Sequence, residues 1–128
     1  MRKSLAGFQL KNKQRNSDFI LMKYYSNGKI DTTFGIEGKT ILDFNNGDDR
    51  LANMKLEADG KITLAGTAKN RIKDDITLVR FDSNGVLDPA FGSDGIVLTD
   101  LSGSNNVVFQ TNDRVYDVLH KSDGSILV

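Results

Sequence analysis

Residues 18–44 read DFILMKYYSNGKIDTTFGIEGKTILDF, and residues 75–101 read DITLVRFDSNGVLDPAFGSDGIVLTDL. The offset is 57 throughout, and 10 of the 27 aligned positions are identical. The identities include Asp18/Asp75, Ser26/Ser83, Asn27/Asn84, Gly28/Gly85, Asp31/Asp88, Phe34/Phe91, Gly35/Gly92, Gly38/Gly95 and Asp43/Asp100. Substitutions elsewhere are mostly like for like, such as Lys23/Arg80 and Tyr24/Phe81. Self-similarity at a fixed period marks a repeat architecture, whose units bury their apolar faces against one another.

The match continues outward on both sides. Residues 49–62 align with 113–126 at an offset of 64, so the second unit carries seven extra residues within 102–112. At the front, Leu5-Ala6-Gly7 matches Leu64-Ala65-Gly66, and Lys11-Asn12-Lys13 matches Lys69-Asn70-Arg71. The chain holds about two units, which the matching cuts inside one strand. Residues 1–128 are expected to form a single repeat region. A full blade is expected near 39–82, with the second split between 96–128 and 1–25.

Each unit alternates short β-type runs with turn residues and shows no capped helical period. The expected strands are 39–44, 51–56, 61–67 and 76–81, with Met54 and Leu56 on one face at period two. Asp59-Gly60 supplies a tight hairpin turn. In the segment 88–95, Phe91 reads as a buried plug, and Gly92 and Gly95 permit close backbone approach. Four strands per unit give an all-β, β-propeller-like repeat of antiparallel meanders, about two blades per chain.

Composition narrows the function. The chain has 128 residues, 17 Lys+Arg against 17 Asp+Glu, and neither Cys nor Trp. Without Cys there is no disulfide framework, thiol nucleophile or thiolate zinc site. Balanced charge argues against a nucleic-acid footprint spread over the whole chain. No run approaches the ~18 consecutive apolar residues of a membrane helix. Met1-Arg2-Lys3-Ser4 is charged like the start of a signal peptide, but the apolar run after it is too short, so no signal is expected in this chain.

These spaced motifs closely resemble the bacterial delta-sixty repeat, a β-propeller-like family. They comprise an aspartate-led strand (18–25), Asn27-Gly28, Asp-x-x-Phe-Gly (31–35), a glycine-led strand (38–44), and Asp59-Gly60-Lys61-Ile62 followed by Ala65-Gly66. The second copy has 75–81, Asn84-Gly85, 88–92, 95–101 and Asp123-Gly124-Ser125-Ile126. The chain departs from the family where Glu57-Ala58 and Lys121-Ser122 replace the usual Gln-Pro, and in its seven-residue insertion. The resemblance implies a surface or secreted repeat array, hence an extracellular or cell-surface setting, and no established activity.

Few residues point to chemistry. His120 stands where Leu56 stands in the first unit and reads as a partly buried strand residue. The acidic loops, including Asp48, Asp49, Asp82 and Asp88, lack calcium-loop spacing and read as turn formers. Phosphate loops, nucleophile elbows and dinucleotide fingerprints are absent, so no catalytic residue, cofactor or metal is expected. Two basic segments recur: Lys11, Lys13 and Arg15, and Lys69, Arg71 and Lys73. Both join the third strand of a unit to the fourth, so both are expected at one end of the blades, together with 45–49 and the insertion 102–112. That end is the expected partner face. Val107-Val108-Phe109 would give the insertion an apolar tip.

The leading expectation is a non-catalytic scaffold for protein interaction or surface display. The alternative is a propeller that binds an anionic polymer or glycan through the repeated basic loops. Two blades alone leave apolar faces wet. Copies are therefore expected to join head to tail as a homo-oligomeric ring, or the units to belong to a longer array.

Overall fold

The computed structural model describes residues 3–11, 16–44, 47–70, 73–100, 115–123 and 125–128. The protein is all-β. In chain order the strands are β1 (Lys3–Lys11), β2 (Ser17–Tyr25), β3 (Lys39–Leu42), β4 (Arg50–Leu56), β5 (Ile62–Asn70), β6 (Lys73–Phe81), β7 (Ile96–Thr99), β8 (Leu119–His120) and β9 (Ile126–Leu127). They form three antiparallel sheets: β1-β2-β3, β4-β5-β6-β7, and β8-β9.

The complete sheet therefore runs from 50 to 99 rather than from 39 to 82, and 96–99 closes it instead of opening the next unit. The cause lies in the Asp-x-x-Phe-Gly segment. After β6 the backbone makes two tight turns, with Gly85 N–H donating to Asp82 O and Phe91 N–H to Asp88 O. Asp88 N–H then bonds Arg80 O, and Arg80 N–H bonds Gly95 O, so the chain folds back along β6. Residues 23–38 make the equivalent bonds, Asp31 N–H to Lys23 O and Lys23 N–H to Gly38 O. The crossing between sheets falls in 43–49.

Register corrects one expectation. Leu5 lies opposite Lys23, whereas Thr63 lies opposite Arg80, the repeat counterpart of Lys23. The structural offset between β1 and β5 is thus 58 along the whole pairing, so Leu5 takes the place of Thr63 and not of Leu64. A slip of one residue would exchange the two faces of the strand.

The two larger sheets pack face to face. Phe19 and Leu21 of β2 meet Ile62, Leu64, Val79 and Phe81 of the four-stranded sheet, with Phe34 and Phe44 closing the cluster. All eight are buried. Each such side chain contributes about 1.5–3 kcal/mol by leaving water. Gly7 on β1 lies under Leu51 and Met54, where a Cβ would approach to 3.0 and 3.2 Å. The hairpin β8-β9 repeats the register of β4-β5 at an offset of 64: Leu119↔Leu127 and His120↔Ile126 match Lys55↔Thr63 and Leu56↔Ile62.

Candidate functional site

Among the described residues, Lys11, Lys69 and Lys73 lie at the same end of the sheets as residues 43–44 and 47–49. Lys11 ends β1 opposite Ser17, and Lys69 sits near the end of β5 opposite Asp74. Both are exposed. Lys73 begins β6, so the second basic segment lies largely in strands and not in a loop. Lys13, Arg15 and Arg71 lie outside the described residues, as do 45–46 and the insertion 102–112 with Val107-Val108-Phe109.

The crossing ties the two strand ends together. Ser17 N–H donates to Asp48 Oδ1 at 3.0 Å, and Asp49 N–H donates to Ser17 O at 2.7 Å. Asp49 is buried, and its carboxylate accepts Phe44 N–H on Oδ2 (2.9 Å) and Lys69 N–H on Oδ1 (3.1 Å). One side chain thus satisfies two backbone donors where the chain leaves one sheet for the next. Asp18 and Asp43 bring their carboxylates to the same place, all three within 4.8 Å of one another. Burial pushes the Asp49 carboxyl up to about 6 against the pull of the two N–H groups, and the neighbouring Asp43 and Asp18 charges add to the rise.

Among the described residues, Asp18, Asp43 and Asp49 are the group whose oxygens could hold a cation. Sequence reading treated these aspartates separately. The signal for the set was present, because all three recur as Asp75, Asp100 and Asp113. The described part of this end is therefore mixed in sign, Lys11 and Lys69 standing among Asp18, Asp43, Asp48 and Asp49.

The other recurring aspartates work at the opposite end. Asp31 is 1 % exposed and accepts Thr33 N–H, Thr33 Oγ1–H and Tyr25 O–H, with Lys3 Nζ at 2.8 Å. Asp88 accepts Ala90 N–H and lies 2.8 Å from Arg80 Nε and 3.1 Å from Lys61 Nζ. The lysine beside Asp31 and the hydrogen bonds from Thr33 hold its carboxyl well below the usual carboxylate range. Lys61 does the same for Asp88, helped by Ala90 N–H and Arg80.

Between these anchors lies the joint from unit to unit. The turn at 82–85 docks on the first sheet. Gly35 N–H donates to Asn84 O (2.7 Å), Thr40 Oγ1–H to Gly85 O (2.7 Å), and Lys23 Nζ to Ser83 O (2.9 Å). Phe34 plugs the joint at 1 % exposure, and a Cβ on Gly85 would come within 2.7 Å of its ring. Phe91, the counterpart of Phe34, is only half-buried, with the Arg80 guanidinium 4.5 Å from its ring centre.

His120, on β8 of the last hairpin, faces the complete sheet. Its side chain is 8 % exposed, and Nδ1 lies 3.3 Å from Glu57 Oε1. No serine or aspartate is paired with it among the described contacts. A cavity of about 300 Å³ opens nearby, lined by Glu57, Lys61, Arg80, Phe91 and Ile126 among others.

Residues 57–91 match the family model described as a β-propeller domain of unknown function (DUF5122). The matched stretch runs from the Asp59-Gly60 hairpin through β5 and β6 to Phe91, and it joins the observed sheets in placing the chain among β-propeller-like repeats. No curated protein and no solved structure matches the chain. Among the described residues no helix is long and apolar enough to cross a membrane.

Proposed function

We propose that this chain is a non-catalytic scaffold of the delta-sixty kind, a β-propeller-like repeat that works in protein interaction. The observation that carries the reading is the use to which its recurring polar residues are put. Asp31 and Asp88 are held by turn N–H groups and cations, and Asp49 by two backbone donors, Phe44 N–H of its own crossing and Lys69 N–H of β5. Recurring side chains engaged in this way build the sheet and its joints, whereas a catalyst needs groups aimed at a substrate. The end carrying Lys11, Lys69 and the crossing 43–49 is the partner face, because connections there can vary without disturbing the sheets.

Photo-crosslinking tests this. A benzophenone side chain at Lys69 or Lys11 is expected to capture a discrete partner from the source cell extract, and the same probe at Asp59, on the opposite end, is not. Labelling indifferent to position, or turnover in a panel of hydrolase and lyase substrates, would overturn the scaffold reading.

A further inference from the structure

The joint between the two units has a copy of each half left over. The turn at 26–28 repeats the turn at 83–85 in sequence, Ser-Asn-Gly in both, and in conformation. Gly28 has φ +81° and Gly85 φ +82°. Gly28 N–H donates to Tyr25 O at 2.9 Å, as Gly85 N–H does to Asp82 O at 3.2 Å. Tyr25 N–H reaches Lys29 O at 2.8 Å, as Asp82 N–H reaches Val86 O at 2.8 Å. Yet Gly85 is pressed against Phe34, whereas nothing stands within 4 Å of a Cβ built on Gly28. Ser26 and Asn27 are exposed.

The socket is duplicated as well. Phe91 and Gly92 stand where Phe34 and Gly35 do, and Gly92 has φ 56°, the same as Gly35. Gly35 N–H is bonded to the docked turn, while Gly92 N–H has no partner among the described residues. Arg80 stands in the place of Lys23, which donates to the docked turn. Val97 stands in the place of Thr40, so one of the three polar contacts has no counterpart.

We infer that the Phe91 socket of one molecule receives the 26–28 turn of a second copy of this chain, in the geometry already seen where the 82–85 turn meets Phe34. The incoming turn gives Asn27 O to Gly92 N–H and Ser26 O to Arg80, and seats Gly28 against the Phe91 ring. The contact is heterologous, so it propagates head to tail. It also sets the first sheet of the incoming copy over the position of β8-β9. There the open edge of β1 meets β8, with His120 opposite Ser4 and Leu119 opposite Leu5, the pairs that the register of β4-β5 dictates. The two-residue β9 gives up this place to β1. The inference deepens the scaffold reading and rests on it, by naming a second copy as one partner.

Sedimentation of the purified chain over a range of concentrations tests the joint. Wild type is expected to form species larger than a monomer in a concentration-dependent way. Gly28→Asn keeps a residue that tolerates positive φ but places a side chain where the Phe91 ring must sit, and Phe91→Ala removes the plug. Each variant alone is expected to associate at least tenfold more weakly, with an unchanged circular dichroism spectrum. Mixed, the two still share one intact joint, the socket of the first with the turn of the second, and are expected to form a 1:1 dimer that goes no further. A wild type that stays monomeric at millimolar concentration overturns the inference, as does association undiminished in both variants. The scaffold reading is scored separately by the crosslinks at Lys69. A monomeric chain that still captures a partner there sinks the joint alone, and an assembling chain with catalytic turnover sinks the scaffold alone.

Discussion

Asp49 carries the connection between sheets on one side chain, and its chemistry has two consequences. Its carboxylate is the acceptor for Phe44 N–H and Lys69 N–H. Asp49→Ala leaves both donors buried without partners, and a loss of about 2–4 kcal/mol in urea denaturation is expected. The second consequence is a pH dependence. Its folded value, about 6, lies above the unfolded carboxylate value, so between roughly pH 4 and 6 the native state holds a proton that the unfolded chain has released. The stability contributed by this group therefore falls as pH rises through that window. A carboxyl-carbon NMR titration of Asp49 is expected to give a midpoint near 6, and one near 4 would refute the account. Asp31 and Asp88 have the opposite sign. Their values are lowered in the folded state, so their contribution is present at neutral pH and lost as pH falls below the ordinary carboxylate range. Glu37 and Asp94, at matching positions in the two units, adopt φ of 52° and 51°. A side chain there costs roughly 1–2 kcal/mol relative to the right-handed region. Glu37→Gly is expected to raise the thermal midpoint by a few degrees, because the gain exceeds the entropy that glycine loses.

At the scale of the element, the two phenylalanine plugs separate what a sequence can say from what it cannot. Phe34 and Phe91 are indistinguishable in the repeat, and both read as buried. Among the described residues only Phe34 has a turn docked against it, so Phe34→Ala is expected to cost about 3–5 kcal/mol and Phe91→Ala much less in the monomer. Equal losses in chemical denaturation would contradict the burial seen here. The strands and the Asp59-Gly60 hairpin were legible because turn residues and period-two patterning are local. In the hairpin, Gly60 alone takes positive φ. Sheet membership was not legible, because 39–42 and 96–99 are equally compatible with opening a unit or closing one. The double turn that sends each back along its own sheet depends on backbone bonds to Lys23 and Arg80 that carry no side-chain signature. The register of β1 was obscured in the same way. Leu5-Ala6-Gly7 resembles Leu64-Ala65-Gly66 in letters, while pairing with β2 sets the strand one residue away. The aspartate triad went unseen because its members lie on a strand, a strand end and a crossing, far apart in sequence.

At the scale of the whole molecule, the apolar cluster that joins the two larger sheets makes them one cooperative body. Residues from β2, β5 and β6 share it, so neither sheet can open without wetting the other. The hairpin β8-β9 pairs through only two residues per strand and stands outside that cluster. Native-state hydrogen exchange is expected to give the central amides of β2 and β5 one common opening free energy, with β8-β9 exchanging far faster. The open edge of β1 extends the argument to assembly. Its alternate N–H groups, those turned away from β2, face no strand among the described residues, whereas β5 is flanked by β4 and β6. In dilute solution these alternate amides are expected to exchange quickly and their neighbours along β1 slowly. Where β8 of a second copy lines the edge, the alternation is expected to vanish as concentration rises, and Gly92 N–H to become protected with it. Protection of β1 without protection of Gly92 would separate edge pairing from the turn-and-socket joint. The repeat predicts that the two appear together, because in the complete joint the docked turn and the flanked strand belong to a single sheet.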